Sequence, residues 1–167
     1  MKMKFKRYWI LSSIVFIVML INSQASLADP WKRLRDMQIP PGNDFRTTLM
    51  NGKVYVTGGW PTLTSFQVYD PSTGTWTKKA DQPTGRARYG ACAVDGILYV
   101  IGGLPFSNAI VEAYDPGTDT WTRKADMINA RRMPAVCVID GRIYAAGGQG
   151  LDVYVEMYDP RTDTWTP

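Results

Sequence analysis

The stretch 111-VEAYDPGTDTWTRKAD-126 places three carboxylates, Glu112, Asp115 and Asp119, in the nine positions before Trp121. Such a stretch can hold a cation, supply an acid/base pair, or dress a turn. The chain decides between these because it contains the stretch three times: 66-FQVYDPSTGTWTKKAD-81 comes before it and 155-VEMYDPRTDTWTP-167 after it. Tyr69, Tyr114 and Tyr158 are spaced 45 and 44 apart, and Trp76, Trp121 and Trp165 repeat that spacing. Asp70, Asp115 and Asp159 recur, each followed by proline; Glu112 and Glu156, however, correspond to Gln67, and Asp119 and Asp163 to Gly74. A Ca²⁺ site needs six to eight oxygens, and one recurring aspartate per copy does not supply them. The recurring part reads as a turn leading into a strand, with Asp at the first turn position and Pro presetting φ at the second.

Outward from that stretch, a second pattern recurs as 50-MNGKVYVTGG-59, 94-VDGILYVIGG-103 and 139-IDGRIYAAGG-148. Asn51-Gly52, Asp95-Gly96 and Asp140-Gly141 are two-residue hairpin turns. The apolar run that follows each is a strand covered on both faces, and it ends in a glycine pair where a side chain would obstruct a neighbour. A short apolar strand precedes each turn, as in 89-YGACAV-94, and the Tyr and Trp strands complete a four-stranded unit. Tyr55, Tyr99 and Tyr144 in the second strands, and the three tryptophans in the fourth, are expected to pack between units. No segment beyond the N-terminal leader has a helical period. Four antiparallel strands every 44–45 residues predict an all-β chain built of β-propeller blades.

The combination resembles the kelch repeat: a glycine doublet (Gly58-Gly59, Gly102-Gly103, Gly147-Gly148), then Tyr69, Tyr114 or Tyr158, then Trp76, Trp121 or Trp165. The resemblance covers residues 44–167 as three repeats, about 44–87, 88–131 and 132–167, the last stopping inside its fourth strand. Residues 29-DPWKRLRDM-37 align with 119-DTWTRKADM-127. Residues 29–43 are therefore expected to form an orphan outer strand and linker, since kelch propellers close by pairing strands from opposite ends. Propellers usually have about four to eight blades, so three do not close a ring. The expectation is a piece of a longer propeller. The alternatives are a homodimer completing about six blades, or an open arc with exposed edges.

The first 28 residues have their own character. Basic 1-MKMKFKRYW-9 leads into an apolar run of 12 residues, Ile10 to Ile21, and then a polar segment with small residues at Ala25 and Ala28. That is the layout of a secretory signal peptide, and the run is shorter than the ~20 residues that span a bilayer. Cleavage removes Lys2, Lys4, Lys6 and Arg7, leaving 15 basic residues against 15 acidic ones. A secreted or periplasmic chain of zero net charge is expected, free of the membrane after cleavage and without the basic footprint of a nucleic-acid binder. The chain has no histidine, hence no imidazole for a transition metal or a general base. No cofactor, metal site or catalytic set is read from it. Cys92 and Cys137 occupy equivalent positions in neighbouring units and are expected to be small buried thiols, too far apart to bridge.

Arginine clusters precede two inner strands, Arg86 and Arg88 in 84-TGRARYG-90 and Arg131 and Arg132 in 129-NARRMP-134. The resemblance places these linkers near the central channel, where arginine in kelch propellers helps to bind acidic peptides or anionic ligands. Guanidinium suits that task through its permanent charge and paired donors. Trp60, in the loop after Gly59, is read as having no counterpart in the other copies and completes the candidate ligand-binding set. The leading expectation is an exported binding module presenting loops to a protein or a small anionic ligand. The alternatives are a periplasmic kelch protein that interconverts sialic acid anomers and a non-functional gene fragment. Kelch-containing copper oxidases require imidazole ligands, which this chain lacks.

Overall fold

The computed structural model describes residues 32–149 and 153–167; the expected leader lies outside them. The chain divides into two compact units, Met1–Leu34 and Arg35–Pro167. Residues 32–34, the described part of the first, carry no strand.

The described residues of the second unit form twelve strands: β1 (Arg46–Met50), β2 (Lys53–Thr57), β3 (Phe66–Asp70), β4 (Thr75–Lys78), β5 (Gly90–Val94), β6 (Ile97–Ile101), β7 (Val111–Asp115), β8 (Thr120–Lys124), β9 (Ala135–Ile139), β10 (Arg142–Ala146), β11 (Val155–Asp159) and β12 (Thr164–Thr166). They form three four-stranded antiparallel sheets in sequence order, β1–β4, β5–β8 and β9–β12, and no helix is present among the described residues. These sheets are blades 1, 2 and 3. Each first hairpin turns where the sequence placed it: Asn51-Gly52, Asp95-Gly96 and Asp140-Gly141 all have positive φ at both positions, as a type I′ turn requires.

The blades pack face to face, with β1 against β5 and β5 against β9. Met50, Tyr55, Phe66 and Val68 of blade 1 meet Leu98, Tyr114, Ala93 and Trp121 of blade 2. The Phe66 ring lies 4.5 Å from that of Tyr114 and 5.2 Å from that of Trp121, both edge-on. Blade 2 turns Cys92, Val94, Tyr99, Ile101, Val111 and Ala113 towards Ile143, Ala145, Tyr158 and Trp165 of blade 3. Blade 2 thus has a leading face, set against blade 1, and a trailing face, set against blade 3, and the corresponding faces of blades 1 and 3 take the same names. The approach is close. A Cβ built on Gly90 would lie 2.1 Å from Val136 Cγ2 of the next blade.

Two expectations are corrected. Residues 32–37 of the anticipated orphan strand have no strand pairing. The segment is instead tied to blade 1 as loop: the Trp76 indole Nε1 donates to Arg35 O at 2.9 Å, and Gln67 exchanges hydrogen bonds with the backbone of Ile39 in both directions. The cysteines are both free, but only Cys92 is buried. Burial pushes its thiol up to about 12. Cys137 is exposed because it lies on the trailing face of blade 3, which no further blade covers among the described residues.

Candidate functional site

The linkers entering β1, β5 and β9 are superimposable in register, so Asp44, Arg88 and Met133 are one position in three blades. All three have positive φ, 60°, 55° and 57°. Their backbones form a chain from blade to blade: Arg88 N–H donates to Asp44 O at 3.4 Å and Met133 N–H to Arg88 O at 2.7 Å. Side chains reinforce the first link, with Arg88 Nε donating to Asp44 Oδ2 at 3.1 Å, both groups about two-fifths exposed.

The loops after the glycine doublets close over this rim. Trp60 bridges Asn43 by two backbone hydrogen bonds of 2.9 and 2.7 Å, and Leu104 bridges Ala87 in the same way. Trp60 therefore has positional counterparts after all, Leu104 and Gln149, and only its aromatic character is unmatched. Between these loops opens a cavity of about 380 Å³, walled by Asn43, Asp44, Trp60 and Leu63 from blade 1 and by Ala87, Arg88, Leu104 and Pro105 from blade 2. Its size falls in the range of small-ligand sites. The walls are largely apolar, with the Arg88–Asp44 pair as the polar feature. Among the described residues, Arg88 spends only Nε on a protein acceptor, which leaves the two terminal nitrogens to grip an oxyanion.

Of the five residues singled out by sequence, the structure brings Trp60 and Arg88 to one cavity and gives the others different surroundings. Arg86 and Arg131 are 0 % exposed. Arg86 pairs with Glu112 through Nη2 and donates Nη1 to Gly102 O (3.2 Å) and Ile110 O (3.0 Å). Arg131 pairs with Glu156 and donates Nη1 to Ala145 O, Gly147 O and Tyr154 O at 3.3, 3.0 and 3.2 Å. Burial pulls the Arg86 guanidinium downward and the Glu112 carboxylate opposes it. Each pair lashes a linker to the strand ends around the glycine doublet, so neither arginine faces a ligand. Arg132 is half-buried, with Nε unpartnered, and lies outside the cavity wall.

Blade 1 dispenses with this device as a whole. Gly42 stands where Arg86 and Arg131 stand in the other blades, at φ 68° with a Cβ position 1.8 Å from Trp60 O, and Gln67 replaces the glutamate. Cation and anion are lost together, as expected when a stranded buried charge is costly.

The carboxylates of the turns are structural too. Asp70, Asp115 and Asp159 each accept a backbone N–H two residues on, at 2.9, 2.7 and 3.0 Å. Asp119 accepts from Tyr114 OH at 2.7 Å and from Ala80 N–H of the preceding blade at 3.2 Å, while Trp121 Nε1 donates to Ala80 O at 2.9 Å. Asp163, Tyr158 and Trp165 repeat the clasp around Ala125. Sequence reasoning missed Asn43, Asp44, Leu63, Ala87, Leu104 and Pro105 as cavity residues; aligning the linkers between copies would have put Asp44 opposite Arg88.

A second cavity, of about 570 Å³, lies at the hairpin end between blades 1 and 2, lined by Lys53, Asp70, Lys79 and the threonines of β4 among others. Lys53 is spent on Asp70 at 2.9 Å, and none of the sequence-nominated ligand residues reaches it.

This arrangement is three consecutive blades of a β-propeller. The kelch motif model matches residues 41–83, 85–128 and 130–167, and the chain belongs to the kelch-repeat family. It is 43 % identical over 79 residues to an F-box/kelch-repeat protein of Arabidopsis thaliana, covering 44 % of this chain and 20 % of that one. It is 34 % identical over 61 residues to the Kelch-like ECH-associated protein 1B of Danio rerio, covering 35 % and 10 %. The chain thus spans a fifth or less of these relatives. Among solved structures, that of YjhT shares the fold at a TM-score of 0.68 and 20 % identity, over 80 % of this chain and 52 % of that one.

Proposed function

We propose that the chain is an exported kelch binding module whose rim cavity, between blades 1 and 2, takes a carboxylate-bearing partner such as an acidic peptide segment. One observation carries this: Trp60, 62 % exposed, and Arg88 converge on a single cavity of about 380 Å³. The indole and Leu104 offer apolar contact, and the Arg88 terminal nitrogens offer a fork for an oxyanion, with Asp44 holding the guanidinium in place. A relative's name, ECH-associated, agrees with protein binding. Export rests on the basic, apolar and small-residue layout of residues 1–28.

Binding of short Asp/Glu-containing peptides to the purified protein, followed by tryptophan fluorescence, tests the site. Arg88→Glu is expected to weaken binding at least tenfold, about 1.4 kcal/mol, and Trp60→Ala to weaken it comparably. Affinity unchanged in both variants removes the proposal. For export, fractionation of cells making the full chain should place it outside the cytoplasm, shortened by the leader; a full-length cytoplasmic product would contradict it.

A further inference from the structure

The cavity of about 570 Å³ at the hairpin end is a wedge between the trailing face of blade 1 and the turn at Pro116 and Gly117 of blade 2. Tyr55 lines it and is only 4 % exposed. Its ring is fixed between Phe66, 6.0 Å away, and Tyr114, 6.4 Å away, but its hydroxyl has no hydrogen-bond partner among the described residues. Buried tyrosine hydroxyls ordinarily have one. Thr77 and Asn51 bring a hydroxyl and an amide to the same wedge, likewise without side-chain hydrogen bonds among the described residues. Lys79 makes no ion pair there: Asp119, which feels its charge, is spent on Tyr114 and Ala80. Lys53 and Asp70 hold each other at 2.9 Å. The wedge therefore carries two cations against one anion. The chain also contains the contrasting case. Between blades 2 and 3, Tyr99, Thr122 and Lys124 recur, but Ile97 replaces Lys53, Asp95 replaces Asn51 and Arg161 replaces Gly117. Arg161 is held by Asp159 of its own turn at 2.8 Å, and Asp95 is close enough to act on Tyr99 and Arg161. Lys124 there stands against two carboxylates, Asp95 and Asp115, so the sign of the balance is reversed. The hydroxyls belong to the repeat, whereas the positive balance belongs to blades 1 and 2.

We propose that this wedge binds a small hydroxylated carboxylate, the chemical class of the sugar acids. Lys79 takes the carboxylate through a charge-assisted hydrogen bond. The hydroxyls of Tyr55 and Thr77 and the amide of Asn51 can each donate and accept, which is what ligand hydroxyls require of their partners. The Lys53–Asp70 pair sets a donor and an acceptor side by side for neighbouring hydroxyls. A single surplus positive charge suits a monoanion, and a phosphate monoester at neutral pH carries nearly two charges. The volume lies in the range of small-ligand sites. This site is at the end of the blades away from the rim cavity, and it stands whether or not that cavity binds a peptide.

Titration of the purified full chain with glucuronate, glucose and acetate, followed by calorimetry, tests the site. Glucuronate is expected to saturate it, with glucose and acetate each about tenfold weaker, because each lacks one half of the contacts. Lys79→Gln should weaken glucuronate about tenfold and leave glucose nearly unchanged, while Tyr55→Phe should weaken both about threefold. Neither variant removes a contact within the protein, so both should keep the thermal midpoint. Lysine acetylation mapped by mass spectrometry locates the ligand: saturating glucuronate should slow the modification of Lys79 and leave Lys124, its counterpart in the wedge of opposite balance, at its free rate. The absence of saturable glucuronate binding overturns the proposal. So does acetate binding as tightly as glucuronate, which would mean a bare anion site. An affinity that neither substitution moves, a Lys79 rate that glucuronate leaves unchanged, or equal protection of both lysines would overturn it as well.

Discussion

A guanidinium sealed from water needs an anion within reach, and Arg86 and Arg131 each have one. The consequence is testable in one blade. Arg86→Met strands Glu112 among buried groups and is expected to destabilise the fold by about 3–5 kcal/mol, read from the denaturant midpoint. Adding Glu112→Gln, the residue found in blade 1, should recover a substantial part of that loss; no recovery would show that the carbonyl contacts of the arginine matter more than its charge. A second residue-scale test concerns Asp119, at φ 57° where blade 1 has Gly74 at 66°. Asp119→Ala loses the clasp on Ala80 and keeps the strain, whereas Asp119→Gly loses the clasp and relieves it. The alanine variant should be the less stable by about 1 kcal/mol. Sequence could nominate arginines in 84-TGRARYG-90 but could not sort them. Arg86 and Arg88 are two residues apart, and the left-handed backbone at Arg88 turns it outward while Arg86 stays in. The absence of both the arginine and the glutamate from blade 1 was the visible trace of the pairing.

At the level of strands and turns, the sequence was nearly transparent, because each first hairpin depends on a local residue pair and each strand on a short apolar or alternating run. The clasp between blades was less so, since it joins side chains to the backbone of a neighbour about 40 residues away. The turn carboxylates also set the acid response. Hydrogen bonds to Ser72 and Lys53 lower Asp70 from 3.8 to about 2, and Asp119, Asp159 and Asp163 are lowered as well, chiefly by Tyr114, Arg161 and Tyr158 respectively. Carboxylates held lower in the folded state than in the unfolded one add stability above the unfolded value, and that stability drains as pH falls through the folded value. The melting temperature is therefore expected to drop between about pH 4 and pH 2, and Asp70→Asn should flatten part of that slope in a calorimetric series. Packing between elements offers a third test. Gly90→Ala places a methyl against Val136 and should cost about 1–3 kcal/mol by overpacking, seen as a lower thermal midpoint.

For the whole molecule, three blades in a row make an array whose cohesion comes from neighbours. Blade 2 is covered on both sides and blade 3 on one. Hydrogen exchange on dilute protein should find the amides of β6 and β7 slowest and those of β9 much faster; equal protection across the blades would mean the array unfolds as one unit. Blade count and order were legible from the repeat period alone, whereas burial was not, because it depends on what lies beside a blade rather than on its residues. Val94 and Ile139 differ little in chemistry and greatly in exposure. The buried ion pair carries one more implication, for how such an array can be rearranged. Arg86 and Glu112 fall within one matched kelch motif, residues 85–128, but lie 26 residues apart, on either side of the glycine doublet. Shuffling whole repeats keeps them together. A crossover between blades 1 and 2 at the doublets would join an arginine to Gln67, or Gly42 to Glu112, and each hybrid would inherit half of a pair with no counter-charge, so recombination within this family of blades is tolerated at the linkers and penalised at the glycines.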